Sequence, residues 1–224
     1  MSRLKDETME QDALLEYSSR FVHYYQNNKG VVWGISFGLL LSAALILGWV
    51  VWSQNQSSEA EILLGQAEEL YLQGELDSAL NGVDNPYQPG FIQIAENYGR
   101  TQSGNLANYY AAVILYEQGE IPTALEYLTQ FRAPEGIMGV GPVSLRGVLL
   151  SELGNYTDAA ERFLEAASWS ENSSTTPYNL LKAAENFELA GDLDRTRELL
   201  LQVEDEYPNS PQAAEAKRLR GLLS

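Results

Sequence analysis

The chain contains no cysteine and only one histidine, His23, in 224 residues. Without thiols there is no disulfide, no thiolate nucleophile, no thiolate metal site and no lipidated N-terminal cysteine. The histidine stands alone between Val22 and Tyr24, a setting in which it is far more often a surface or interfacial residue than a catalyst. No Gly-rich phosphate loop, HExxH helix or GxSxG elbow occurs. Acidic residues are plentiful, but runs such as Glu68-Glu69 and Glu204-Asp205-Glu206 read as solvated helix faces. No enzyme, cofactor, bound metal or small-molecule substrate is expected.

Two further absences concern charge. From Val31 to Trp52 there is none of either sign, and between Lys29 and Arg100 there is no basic residue. A helix of 22 uncharged residues spans about 33 Å, enough for the hydrocarbon core of a bilayer. Trp33 lies near one end, with Trp49 and Trp52 near the other, where interfacial rings are expected. Arg3, Lys5, Arg20 and Lys29 all precede the run. Orientation follows Lys and Arg rather than net charge, so the N-terminus reads as cytoplasmic and the remainder as exported. A cleaved signal peptide has a shorter apolar region nearer the N-terminus, and Val51-Trp52-Ser53 is a poor cleavage site. An uncleaved anchor is the better reading.

The division expected is a cytoplasmic segment over 1–30, a transmembrane helix over 31–52, a linker over 53–58 and an exported domain over 59–224. The part after Trp52 carries 10 basic and 26 acidic residues, a net charge of −16. Phosphate backbones and anionic headgroups are repelled by such a surface, which disfavours nucleic acid. Gly34, Gly38 and Ser42 form a small-residue stripe on one face of the span. They are candidates for helix packing in the membrane, although glycine is common in such helices. Leu14, Tyr17, Phe21 and Tyr24 fall on one face of an amphipathic segment before the span, suited to the membrane interface or to a partner.

The exported part reads as all-α, with apolar residues recurring at three and four. One turn returns four times: Leu72-Gln73-Gly74-Glu75, Glu117-Gln118-Gly119-Glu120, Glu152-Leu153-Gly154-Asn155 and Leu189-Ala190-Gly191-Asp192. The glycines are 45, 35 and 37 residues apart. Seven residues before each stands a small residue, Ala67, Ala112, Gly147 or Ala184. Five after each stands Ala79, Ala124, Ala159 or Thr196. Antiparallel helices approach closely only where side chains are small, so these positions are expected at helix contacts. Leu70, Leu115, Leu150 and Phe187 are expected in the core, as are Phe163 and Leu200 on second helices. The long first interval has its excess between Asn85 and Gly104, an insertion assigned to 86–104, where Phe91 to Tyr98 can form a short extra helix. Ala133 to Pro142, with two prolines and three glycines, reads as an irregular exposed loop. Ser210 and Pro211 suit the start of a final capping helix.

These positions resemble the tetratricopeptide repeat family from about Glu59 to the C-terminus. The resemblance implies an α-solenoid of about four helix pairs closed by the C-terminal helix. It also implies a concave groove lined by first helices. Counting back from each glycine places Leu64, Glu68 and Tyr71 there, then Leu106, Tyr109, Val113 and Tyr116. Ser144, Val148 and Ser151 follow, then Tyr178, Leu181, Glu185 and Glu188. Any of these tyrosines can instead pack on the neighbouring repeat. A groove with only Lys182 and Lys217 in its domain is not built for acidic tails, so a neutral or basic extended segment is expected. The whole arrangement is similar to the YfgM-type ancillary subunits of the bacterial Sec translocon. That similarity implies an inner-membrane protein with periplasmic repeats. Its implied partners are translocon subunits, a membrane-anchored prolyl isomerase-like chaperone and exported clients. The alternative is a scaffold or assembly factor for another envelope complex, in cell division or outer-membrane biogenesis.

Overall fold

A computed structural model describes residues 23, 25–83 and 88–223. The amphipathic face at Leu14, Tyr17, Phe21 and Tyr24 lies outside them, as do Arg3, Lys5, Arg20, Asn85 and Pro86. The chain divides into two compact units, one ending at Asn55 and one starting at Gln56.

From Lys29 onward the described residues form helices and no strand. The first, α1 (Lys29–Leu72), is 44 residues long. Its N-terminal half is long and apolar enough to cross a membrane, and almost every side chain there is exposed, including Trp33, Phe37, Leu40 and Trp49. In water that surface would be strongly unfavourable. Residues 53–58, expected as a linker, are helical and lie within α1. They contain neither Pro nor Gly, so nothing in them stops a helix.

The second unit holds the end of α1 and nine more helices. They are α2 (Leu76–Asn81), α3 (Phe91–Tyr98), α4 (Gln102–Glu117), α5 (Ile121–Gln130) and α6 (Ile137–Glu152), then α7 (Tyr156–Trp169), α8 (Thr176–Ala190), α9 (Leu193–Glu206) and α10 (Pro211–Leu222). From α3 on, each helix packs against the next.

The repeated sequence turn is a repeated structure. Gly74, Gly119, Gly154 and Gly191 have φ of 80°, 81°, 77° and 83°, the left-handed region that glycine adopts without strain. Each glycine N–H donates three residues back, as in Gly154 to Ser151 at 2.9 Å. The next N–H donates five back: Glu75 to Leu70, Glu120 to Leu115, Asn155 to Leu150 and Asp192 to Phe187, at 2.8–3.0 Å. This pair of hydrogen bonds closes the helix carbonyls in a Schellman motif. The carbonyl of that same residue then accepts the first bond of the following helix, as in Thr196 to Asp192 at 3.1 Å. One short segment thus ends one helix and starts its antiparallel partner.

The small residues sit where expected. Ala67, Ala112, Ala184, Ala79, Ala124 and Ala159 are fully buried, and Thr196 nearly so. A Cβ added to Gly147 would stand 3.0 Å from the Phe163 ring, so that pair of helices approaches too closely for a larger residue. Two core clusters result. The first gathers α1 to α6 around Phe91, Ile94, Ile114 and Leu128. The second gathers α7 to α10 around Phe163, Phe187, Leu200 and Val203.

The long first interval has a structural cause. Phe91 to Tyr98 is the short helix expected, and it buries Phe91, Ile94 and Ala95 in the first core. The preceding α2 has only six residues. Between them Gly82 and Pro89 form an isolated antiparallel bridge, and a Cβ on Gly90 would meet the Gly82 nitrogen at 2.3 Å. The described residues Gly82 and Pro89 are therefore brought into contact. Without the nine residues 82–90 the 45-residue interval becomes 36, between the other two. The insertion is better placed at 82–90 than at 86–104.

Candidate protein-interaction site

Most residues expected in the groove are engaged with the fold. The Tyr71 ring lies 5.4 Å from Tyr110 and 6.4 Å from Phe91, and Phe91 stacks on Tyr110 at 4.7 Å. Tyr109 lies 5.2 Å from Phe131. Burial raises the Tyr109 hydroxyl above its ordinary pKa. Burial, followed by the charge and hydrogen bond of Glu68, pushes Tyr110 up to about 12. These tyrosines form an aromatic cluster on the first core, which is the neighbour-packing alternative. Val113 is half-buried, as is Tyr116 against the same core. Val148 is half-buried against the second core. Leu64 and Leu181 are core residues, 7 % and 6 % exposed. Leu181 belongs to the second core, which leaves little of it to line an open groove. Glu185 is half-buried and paired with Lys182 at 2.7 Å, and that ammonium stands 6.0 Å from the centre of the Tyr178 ring.

Tyr178 and Ser144 do meet at an open cavity, of about 330 Å³. Its walls are mostly apolar. Ile137, Val140, Gly141 and Ser144 come from α6, while Tyr178 and Asn179 come from α8. Ser174 and Thr175 close it from the loop before α8, and Gln212 closes it from α10. Beside it, Met138 is 76 % exposed and Ile137 54 %.

Local chemistry holds these walls. Asn172 organises the loop, its Oδ1 accepting from the Ser174 and Thr175 amides at 2.9 and 2.8 Å. The Thr176 hydroxyl donates to the Ala167 carbonyl at 3.1 Å and accepts from the Asn172 amide at 2.9 Å. On the other side, Trp169 Nε1 donates to the Pro134 carbonyl at 2.9 Å, and a Cβ on Gly139 would fall 2.2 Å from that nitrogen. The start of α6 is thereby clamped to the end of α7.

This corrects the loop expected over Ala133 to Pro142, since α6 begins at Ile137 with Pro142 inside it. The proline stands in the second turn and forfeits one bond, to the exposed Met138. Gly141 before it has no Cβ to clash with the ring. Ile137, Val140 and Gln212 were not legible as site residues. The proline hid the helix that presents the first two, and Gln212 belongs to the capping helix.

One residue of the cavity wall also has a buried polar atom without a partner, as Asn108 and Asn186 have elsewhere. Asn179 is 1 % exposed, and its Nδ2 donates to the Thr175 carbonyl at 2.9 Å. Its Oδ1 is buried with no hydrogen bond.

The tetratricopeptide repeat family model matches residues 178–210. The match covers α8 from Tyr178, all of α9 and the turn to Ser210, which is the fourth pair. No curated protein matches the chain. Outside the match, kinship among the four pairs rests on geometry: the same left-handed glycine, the same two turn bonds and the same buried small residues. The fold is an all-α stack of helix pairs consistent with a tetratricopeptide solenoid, and this repeat type suggests protein partners. In the first unit, Gly34, Gly38 and Ser42 share one exposed face of α1, with the Ser42 hydroxyl donating to the Gly38 carbonyl at 2.8 Å. That bond satisfies the hydroxyl without a partner helix. Among the described residues, no group of three or more His, Asp or Glu side chains is placed to hold a metal.

Proposed function

We propose that this is a single-pass protein of the bacterial inner membrane whose exported repeats bind segments of other proteins, as an ancillary subunit of the Sec translocon. The observation that carries the binding role is an open apolar cavity between first helices of a repeat stack, one pair of which matches a protein-interaction family. The exported orientation is supported by the absence of Lys and Arg over the 47 residues after the apolar run. The translocon role is supported by the order of parts: short N-terminal segment, anchor, acidic repeat domain. Binding would be reversible and without turnover. Its partners would be translocon subunits, a membrane-anchored prolyl isomerase-like chaperone and exported clients. The Gly34–Gly38–Ser42 face would pack on a neighbouring membrane helix.

The test is crosslinking in intact membranes followed by purification in mild detergent. Translocon subunits together with newly exported proteins are the expected catch. Recovery of cell-division or outer-membrane assembly proteins in their place would replace the translocon role with that of a scaffold. Recovery of neither group would end the reading.

A further inference from the structure

We infer that the outer face of α1 between Ser58 and Leu72 is a docking surface for one helix of a partner protein, apolar along the contact and carrying a Lys or Arg opposite Glu69. The inference rests on the interaction reading above. It adds a surface apart from the cavity and the chemistry of what covers it.

The other repeats show what such a face normally meets. Twelve and five residues before the turn glycine stand Ala107 and Ile114, Pro142 and Leu149, and Asn179 and Asn186, every one buried. Each lies on a first helix that packs against the second helix of the pair before it, α4 on α3, α6 on α5 and α8 on α7. Contact across that seam is direct. Arg146, eight residues before its glycine, donates to the Leu128 carbonyl of α5 at 2.9 Å. In α1 the corresponding places are held by Ile62 and Glu69, and among the described residues no second helix precedes them. Ile62 is 64 % exposed, and Glu69 is exposed as well. The first end of the stack is thus open where three other pairs are closed by a helix.

The open face has the dimensions of one more helix. From Ser58 to Leu72 it runs for about 22 Å, which suits a helix like α7 or α9, each of 14 residues. Gly65 stands between Ile62 and Glu69, and a Cβ there would meet nothing within 4 Å. Glycine inside a helix is unfavourable, and no contact within the fold requires it here. It leaves the α1 backbone free for close approach. Leu72, at the far end, is 84 % exposed, so the face is apolar at both ends.

Charge selects the occupant. Glu61 and Glu69 are exposed, and neither joins any of the seven described ion pairs, all of which lie between residues 161 and 220. Glu69 has an amide donor in Gln73 at 3.2 Å but no cation, and no Lys or Arg occurs from 30 to 99. Covering it with a neutral helix would strip water from an unpaired carboxylate, which is costly. A favourable occupant therefore brings its own cation to that point. A second copy of this chain is poorly equipped to do so. Setting α1 on α1 would oppose Glu69 to Glu69. In α10, Arg218 and Arg220 are already paired with Glu215 and Glu204.

The experiment uses the full chain in native membranes, with photoreactive p-benzoylphenylalanine replacing Ile62 or, as a control on α9, the exposed Leu201. Irradiation should give an adduct from position 62 and none from 201. Mass spectrometry should map it to a helix of a different protein, with Lys or Arg within one turn of the attachment point. Gly65→Trp and Glu69→Lys should each lower the yield about tenfold or more. Both positions are exposed and helical, so the melting temperature should not fall. Changing the mapped cation to Glu should restore the adduct in Glu69→Lys. An adduct with a second copy, with an extended segment, or at both positions equally overturns the inference. So does an adduct that survives Gly65→Trp and Glu69→Lys, or a charge exchange that restores nothing. Absence of any adduct at position 62 overturns the surface alone if translocon subunits are still recovered by general crosslinking, and the interaction reading falls with it if they are not.

Discussion

At the scale of single residues, the turn glycines and the residues packed around them define the fold most sharply. Gly154 has φ of 77° and open space around its Cα, so Gly154→Ala isolates backbone strain. It should cost about 1 kcal/mol and lower the melting temperature by about 3 °C. Trp169→Phe keeps an aromatic ring, though a smaller one, and removes the bond to the Pro134 carbonyl. We expect a loss of about 1 kcal/mol, with amide exchange faster at residues 137–141 and little changed in α9. The turn glycines were legible because their conformation is a local requirement. Asn179 was not. Its importance depends on what surrounds it, and no spacing rule separates a buried asparagine from an exposed one.

At the scale of elements, the capping helix α10 packs Ala216 into the second core and is fixed at both ends. The Ser210 hydroxyl accepts from the Ala213 amide at 3.2 Å, and Arg220 grips Glu204 of α9 through two bonds of 2.7 and 3.0 Å. That grip holds the Glu204 carboxyl below the usual carboxylate range, and Arg218 and Arg195 do the same for Glu215 and Asp192. A carboxyl whose pKa falls on folding contributes stability that is fully present above its unfolded value, 4.5 for Glu204. That stability is lost as the pH drops through the lower, folded value. Acidification below about pH 4.5 should therefore loosen α10 first, as faster amide exchange or proteolysis at 211–222. In Glu204→Gln the helix should be looser at neutral pH, and the pH-dependent part should shrink. The existence of α10 was readable from Ser210 and Pro211, but its grip on α9 was not, because it joins residues 16 apart in sequence.

At the scale of the molecule, stability is distributed along the stack. Each helix packs mainly on its sequence neighbours, and the buried residues fall into two clusters. Such arrays unfold in parts when one region is weakened. Phe187, fully buried in the second cluster, should cost about 4 kcal/mol when replaced by Ala. Exchange protection should then collapse in α8–α10 and persist in α4 and α5. Equal loss in both regions would mean that the two clusters unfold as one. Orientation is a property of the whole chain: protease added outside the cytoplasmic membrane of spheroplasts should degrade the repeats while the N-terminal segment remains protected. The reverse pattern would invert the proposed topology.

The sequence by itself determined the apolar run, the four turns and the small residues at helix contacts. Each of these depends on composition or on residues within about two helical turns, where physical chemistry acts locally. Tertiary structure alone decided that α3 belongs to the first core, that Gly82 meets Pro89, and that α6 starts ahead of Pro142. It also decided that Tyr71 and Tyr109 pack inward while Tyr178 borders a cavity. Those outcomes turn on which neighbour a side chain meets. Groove positions counted back from a glycine share one spacing, whereas the packing around each is set by a different pair of helices.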